Sequence, residues 1–154
     1  MGAIGSSPGH SMQCTFCRLI ARELPVSVIF EDSQILAFMA LKPVIPGECL
    51  VVPKAHIEDF ADLNEATTAQ VMLIGQKIAR RMKVEFAAPR IGMLVHGFGV
   101  PHAALMLVPQ HDPDDLTCGR LARIENGRVV FKNDAPPVDR TTLDAQAARL
   151  FPRH

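Results

Sequence analysis

The sequence predicts an α+β domain: an antiparallel sheet of about five strands, one long packing helix, and a C-terminal hairpin followed by a helix. Short β-branched and aromatic runs recur between Val26 and Val108 without regular βαβ alternation. They are interrupted by one long amphipathic stretch, between Asn64 and Met82. Near the C-terminus, Asn126-Gly127 separates two further apolar runs, and Asn-Gly is a strong hairpin signal.

The elements follow in order. Cys14 to Glu23 is expected to form a short helix that stops at Leu24-Pro25, because the residue before proline is pushed out of helical space. Val26 to Phe30 and Ile35 to Leu41, separated by Glu31-Asp32-Ser33-Gln34, make an antiparallel hairpin. Pro43 to Gly47 breaks the sheet, and Glu48 to Pro53 supplies a third strand, with His56 just past its end. In the long helix Val71, Ile74, Ile78 and Met82 fall at steps of three and four, one face toward the sheet. Ile91 to Val95 and Ala103 to Val108 are strands joined through Gly97 to Pro101, with His102 opening the second. After the polar loop HDPDDLT, Leu121 to Ile124 and Arg128 to Phe131 form the hairpin and Thr141 to Leu150 the last helix.

With 154 residues, 48% of them hydrophobic, the chain has enough apolar material for one core. Residues 12–154 are read as a single domain. Residues 1–11, MGAIGSSPGHS, are Gly/Ser-rich ahead of a second methionine, Met12, and are expected to be a disordered or expression-derived extension. Sixteen basic side chains balance sixteen acidic ones, so no long-range field gathers nucleic acid or an anionic membrane surface. No apolar stretch reaches the roughly 20 residues that span a bilayer. A cytoplasmic protein is the expectation.

Four cysteines are too few and too unevenly placed for a disulfide scaffold. Cys14-Thr-Phe-Cys17 has the spacing of a metal or redox pair, although two half-buried apolar thiols would read the same way. A tetrahedral zinc needs two more nitrogen or sulfur ligands. His56 and His102, each at a strand end, are the candidates, with Cys49 and Cys118 reading as core and loop thiols.

Taken together, CTFCRLIARELPVSVIFEDSQILAF, PGECLVVPKAH and VPHAALMLVP resemble the histidine triad (HIT) superfamily, over about Cys14 to Pro109. The resemblance implies a HIT-like fold. It also implies zinc held by Cys14, Cys17, His56 and His102, as in zinc-containing relatives that include galactose-1-phosphate uridylyltransferases. The family signature, His-x-His-x-His on a strand, aligns with His102, Ala104 and Met106. The middle histidine of active members attacks the α-phosphorus of a nucleotide ester or amide, which a methyl group cannot do.

Ala40 stands where the family usually carries a ribose-binding aspartate, and Glu48 where many members have another active-site histidine. Glu48 is expected to bring negative charge toward the former phosphate site. The former nucleotide pocket is thus placed near Ala40, Glu48, Ala104 and Met106, with no intact catalytic residue.

Two functions follow. One is a zinc-binding relative of nucleotide hydrolases and nucleotidyltransferases that has lost the chemistry and binds a nucleotide, another small molecule or a protein. The alternative is a nucleoside phosphoramidase or dinucleoside polyphosphate hydrolase working through a rearranged site. His96 and His111, which flank the signature strand, are the weak candidates for a substitute acid, base or nucleophile. Lys54, as a contact to phosphate, is weaker still. The apolar side chains Met93, Leu94, Leu105, Met106 and Leu107 are read as core, interface or the wall of an apolar pocket. By resemblance the chain is expected to be a homodimer built around the Gln70 to Met82 helix.

Overall fold

The structure, a computed structural model, describes residues 13–116 and 121–151. The N-terminal extension through Met12, and Cys118, lie outside the described residues.

Among the described residues, seven strands and three α-helices form the fold. Helix α1 (Thr15–Ile20) is followed by β1 (Val28–Glu31), β2 (Ile35–Met39) and β3 (Cys49–Pro53). After a 3-10 turn at Phe60–Asp62 come helix α2 (Glu65–Glu85), β4 (Arg90–Leu94) and β5 (Leu105–Gln110). A second 3-10 turn, Pro113–Asp115, leads to the hairpin β6 (Ala122–Glu125) and β7 (Arg128–Phe131), and then to helix α3 (Arg140–Leu150). The main sheet has five strands in the order β1-β2-β3-β5-β4, every pair antiparallel.

Strands β2 and β3 are buried on both faces, because helices cover both. On one face Ile35, Ala37, Met39, Cys49, Val51, Leu105 and Leu107 meet Val71, Ile74, Ile78 and Met82 of α2 and Leu143, Ala147 and Leu150 of α3. On the other, Leu36, Phe38, Ala40, Leu50 and Val52 meet Phe16, Leu19 and Ile20 of α1. Each fully buried Ile, Leu or Val contributes about 1.5–3 kcal/mol, so the two central strands anchor the fold. Gly75 lets α2 approach closely, since a Cβ there would lie 2.8 Å from the Leu105 side chain.

Several boundaries differ from the sequence expectation. Helix α1 ends at Ile20, before the proline, in a Schellman motif: Arg22 takes a left-handed φ of 61° while Glu23 N–H bonds Arg18 C=O and Arg22 N–H bonds Leu19 C=O. Helix α2 runs three residues past Met82 and closes the same way on Ala87, with φ of 47°. Neither stop carries the glycine that marks such a cap. Strand β5 begins at Leu105, so His102 sits in the preceding loop rather than opening the strand. Ala103 N–H there bonds Ile57 C=O at 2.7 Å, drawing this loop against the segment after β3. The hairpin turns as expected, with Asn126 and Gly127 both at positive φ. No helix among the described residues is long and apolar enough to cross a membrane.

Candidate metal centre

Four side chains from three separate parts of the chain converge at one end of the sheet. Cys14 is the N-cap of α1, its Sγ accepting Cys17 N–H at 3.5 Å, and one helical turn brings Cys17 to the same side. His56 arrives from the segment after β3 and His102 from the loop before β5. Their four potential ligand atoms all lie within 4.8 Å of one another.

Three of these spacings are close to those of a metal tetrahedron. His102 Nδ1 lies 3.5 Å from Cys14 Sγ and 3.6 Å from Cys17 Sγ, and His56 Nδ1 lies 3.2 Å from Cys17 Sγ. Zinc–sulfur bonds of about 2.3 Å and zinc–nitrogen bonds of about 2.0–2.1 Å at tetrahedral angles put such atoms about 3.6 Å apart. Both imidazoles turn Nδ1 inward. His102, only 2% exposed, donates from Nε2 to the Pro53 carbonyl at 2.7 Å, which leaves the Nδ1 lone pair for a ligand bond. Burial holds the His102 imidazole below its usual pKa, and therefore neutral, as ligation requires.

One further feature fits a cation. Burial, with the adjacent Cys14 thiol, pushes the Cys17 thiol up to about 12, so this thiol stays protonated unless a positive charge is supplied. His56 Nε2 is buried without a hydrogen-bond partner, the nearest acid being Glu58 Oε1 at 3.7 Å. The donor set therefore suits zinc. Four protein ligands fill its tetrahedron, so a bound ion would tie α1 to the loops after β3 and before β5.

Beside the cluster is a cavity of about 180 Å³ walled by Phe16, Leu50, Leu94, His102, Ala104 and Met106. Ala104 and Met106 pack toward the apolar face that holds Leu50, with Met106 directly opposite Leu50 in the sheet. His96, exposed at the end of β4, also lines this cavity. His111 does not. Its Nε2 bonds Phe86 C=O at 2.8 Å, at the far end of β5, which ties it to the C-terminus of α2.

Glu48 departs from expectation as well. It is 5% exposed, and its Oε2 accepts Val44 N–H at 2.9 Å, so the carboxylate clasps the Val44–Gly47 turn and lines neither this cavity nor its neighbour. Burial raises its pKa despite that bond. The Val44 N–H takes the side chain that the resemblance placed near the phosphate site. Ala40 does reach the neighbouring cavity, about 350 Å³, which shares the Phe16 and Leu50 walls. Lys54 is engaged elsewhere, 2.8 Å from Glu31.

Sequence reasoning missed three groups. The Pro53 carbonyl, a backbone atom, carries no sequence signal. Glu58 lies two residues past His56 and was open to notice. Arg140, at the rim of the larger cavity, comes from α3 with no motif around it.

These features define a class: an α+β sheet domain with a Cys₂His₂ cluster beside a sheet-face cavity. The HIT domain family model matches residues 21–109, and the chain belongs to the HIT family. It is 31% identical over 107 residues to protein hit of Bacillus subtilis, covering 66% of this chain and 74% of that one. Among solved structures, a HIT-like protein involved in cell-cycle regulation from Bartonella henselae aligns with a TM-score of 0.71 at 25% identity, covering 90% of this chain and 93% of that one. A zinc-bound histidine triad family protein from Mycobacterium smegmatis aligns with a TM-score of 0.66 at 28% identity, covering 91% and 96%.

Proposed function

We propose that this chain is a zinc-stabilised HIT protein that has given up nucleotidyl transfer and acts by binding. The observation that carries this reading is the environment of Ala104 and Met106. Both signature positions hold apolar side chains packed on the face of Leu50, where the transfer chemistry needs an imidazole. Cys14, Cys17, His56 and His102 would hold the metal, whose role is to crosslink three chain segments. The zinc-bound Mycobacterium smegmatis relative supports that choice of ion.

A second reading rests on His96, the remaining imidazole at the cavity apart from the ligand His102. On this reading His96 acts as nucleophile or base in a rearranged phosphoramidase or dinucleoside polyphosphate hydrolase. Metal analysis of the purified protein and of Cys14→Ala, with adenosine phosphoramidate turnover on the same samples, separates the two. About one zinc per chain that is lost in the variant, with no turnover, is the expected result. Turnover that vanishes in His96→Ala would establish the second reading.

The assembly we propose is a homodimer across α2 and the edge strand β4. Met72 and Leu73 on α2, with Met93 and Val95 on and just past β4, leave large apolar side chains exposed there. The free thiols of Cys14, Cys17 and Cys49 suit a reducing compartment, in keeping with a cytoplasmic protein.

A further inference from the structure

The larger cavity lies between α1, the apolar sheet face and the start of α3. Leu19, Leu24, Val26, Phe38 and Leu50 are among its walls, and its volume, about 350 Å³, is in the range of small-molecule sites. Among the described residues its polar side chains are Thr15 and Arg140. Ala40 lies where a sugar-binding acid would be needed, so the cavity presents no carboxylate to ribose hydroxyls.

Arg140 is partly buried in the first turn of α3. Its Nη1 donates to Ser27 Oγ at 2.9 Å, and Ser27 Oγ in turn donates to Asp144 Oδ1 at 2.6 Å. Arg140 forms no ion pair with any described residue. The acids around it are committed: Asp139 caps α3 through Thr142 N–H, and Asp144 holds Ser27. A guanidinium has five N–H donors, and the bond to Ser27 takes one.

We propose that this cavity binds an apolar monocarboxylate, its hydrocarbon body against Leu19, Phe38 and Leu50 and its carboxylate on Arg140. An apolar enclosure with one cation at the rim matches one anionic head on an apolar tail. The cavity lining offers ribose hydroxyls no carboxylate acceptor, whereas a single anionic head group matches the unused donors of Arg140. The inference rests on the loss of nucleotidyl chemistry and names the ligand class that replaces the nucleotide.

The test is an amide-resolved NMR titration of the full chain with octanoate, octan-1-ol and AMP, because the protein has no Trp or Tyr to report by fluorescence. Octanoate is expected to shift the amides of Ala40 and Leu41, to bind at least tenfold tighter than octan-1-ol, and to be undisturbed by excess AMP. Arg140→Gln should erase the difference between acid and alcohol. Leu24→Trp, which fills the cavity from a half-buried position, should abolish both, and it decides the matter if Arg140→Gln does not fold. Equal affinity for acid and alcohol, displacement by AMP, or no response to octanoate each overturns the inference. Adenosine phosphoramidate turnover on the same sample separates the failures. No turnover and no octanoate binding removes this inference and leaves the loss of chemistry standing, whereas turnover removes both.

Discussion

His102 donates from Nε2 to the Pro53 carbonyl at 2.7 Å, and that single bond fixes which face of the ring meets Cys14 and Cys17. The proton on Nε2 leaves Nδ1 with a lone pair, and the ring cannot turn over without stranding a buried carbonyl. His102→Ala is therefore expected to lose both the ligand and the partner of Pro53. Bound zinc should fall from about one per chain to near zero. Unfolding should follow at a free energy lower by about 4 kcal/mol, the value of a ligand held at a thousandfold excess over its Kd. Chelation of the unmutated protein, followed by thermal unfolding, should reproduce most of that loss.

The Cys17 thiol gives the metal-free protein a pH signature. Its pKa in the fold is pushed up to about 12 from an ordinary 9.0 by burial and by Cys14. A raised thiol pKa contributes stability that is fully present below pH 9 and is lost as pH climbs toward 12. The chelated protein should thus lose stability between pH 9 and 12. The zinc-loaded protein should not, since its thiolates already carry no proton. Denaturant midpoints at pH 8 and 10.5, with and without metal, check this.

Glu48 behaves in a related way in the acid range. Its pKa is raised, chiefly by burial, so the folded state resists its ionisation, and the associated stability is present below the ordinary carboxylate pKa and lost as pH rises through the folded value. Glu48→Gln keeps an oxygen for Val44 N–H and removes the buried charge. The variant should be as stable as the parent at pH 4 and more stable at pH 8, measured by Tm. Equal destabilisation at both values would mean that the carboxylate does more than clasp its own turn.

His96 and His111 should separate cleanly. His111→Ala removes the bond to Phe86 C=O at the end of α2 and should cost about 1 kcal/mol. His96→Ala, at an exposed strand end, should stay within about 0.5 kcal/mol of the parent. Urea unfolding reads both.

The proposed dimer is tested on Leu73, exposed on α2. Leu73→Glu places a charge in the proposed apolar contact and should yield a monomer by light scattering, with its Tm little changed at the monomer level. A parent protein already monomeric at tens of micromolar would remove the dimer.

Much of this molecule was legible as a string of residues. The period of Val71, Ile74, Ile78 and Met82 set the buried face of α2, and Asn126-Gly127 set the hairpin turn, because helical pitch and positive φ act within a few residues. Cys14-x-x-Cys17 was visible for the same reason, since one helical turn brings the two thiols together. The strand runs were enough for an antiparallel sheet. What sequence missed was longer in range or backbone in kind: the stops at Arg22 and Ala87, made by hydrogen bonds without a glycine, and the displacement of His102 off β5 by the bond between Ala103 and Ile57.

Residue types and local periods thus determined most of the secondary structure, and the resemblance to the HIT family singled out Cys14, Cys17, His56 and His102 as candidate ligands and positions 104 and 106 as lacking imidazole. Only the tertiary structure decided where those side chains point. It joined Cys17 to His56 across 39 positions of sequence, turned Glu48 back onto Val44, separated His96 from His111, and brought Arg140 of the last helix to a cavity walled by the first. The physical reason is that a side chain's direction is set by the backbone that carries it, the apolar surface it packs on and the donors and acceptors within its reach. Those neighbours are supplied by the packed sheet and by segments remote in sequence.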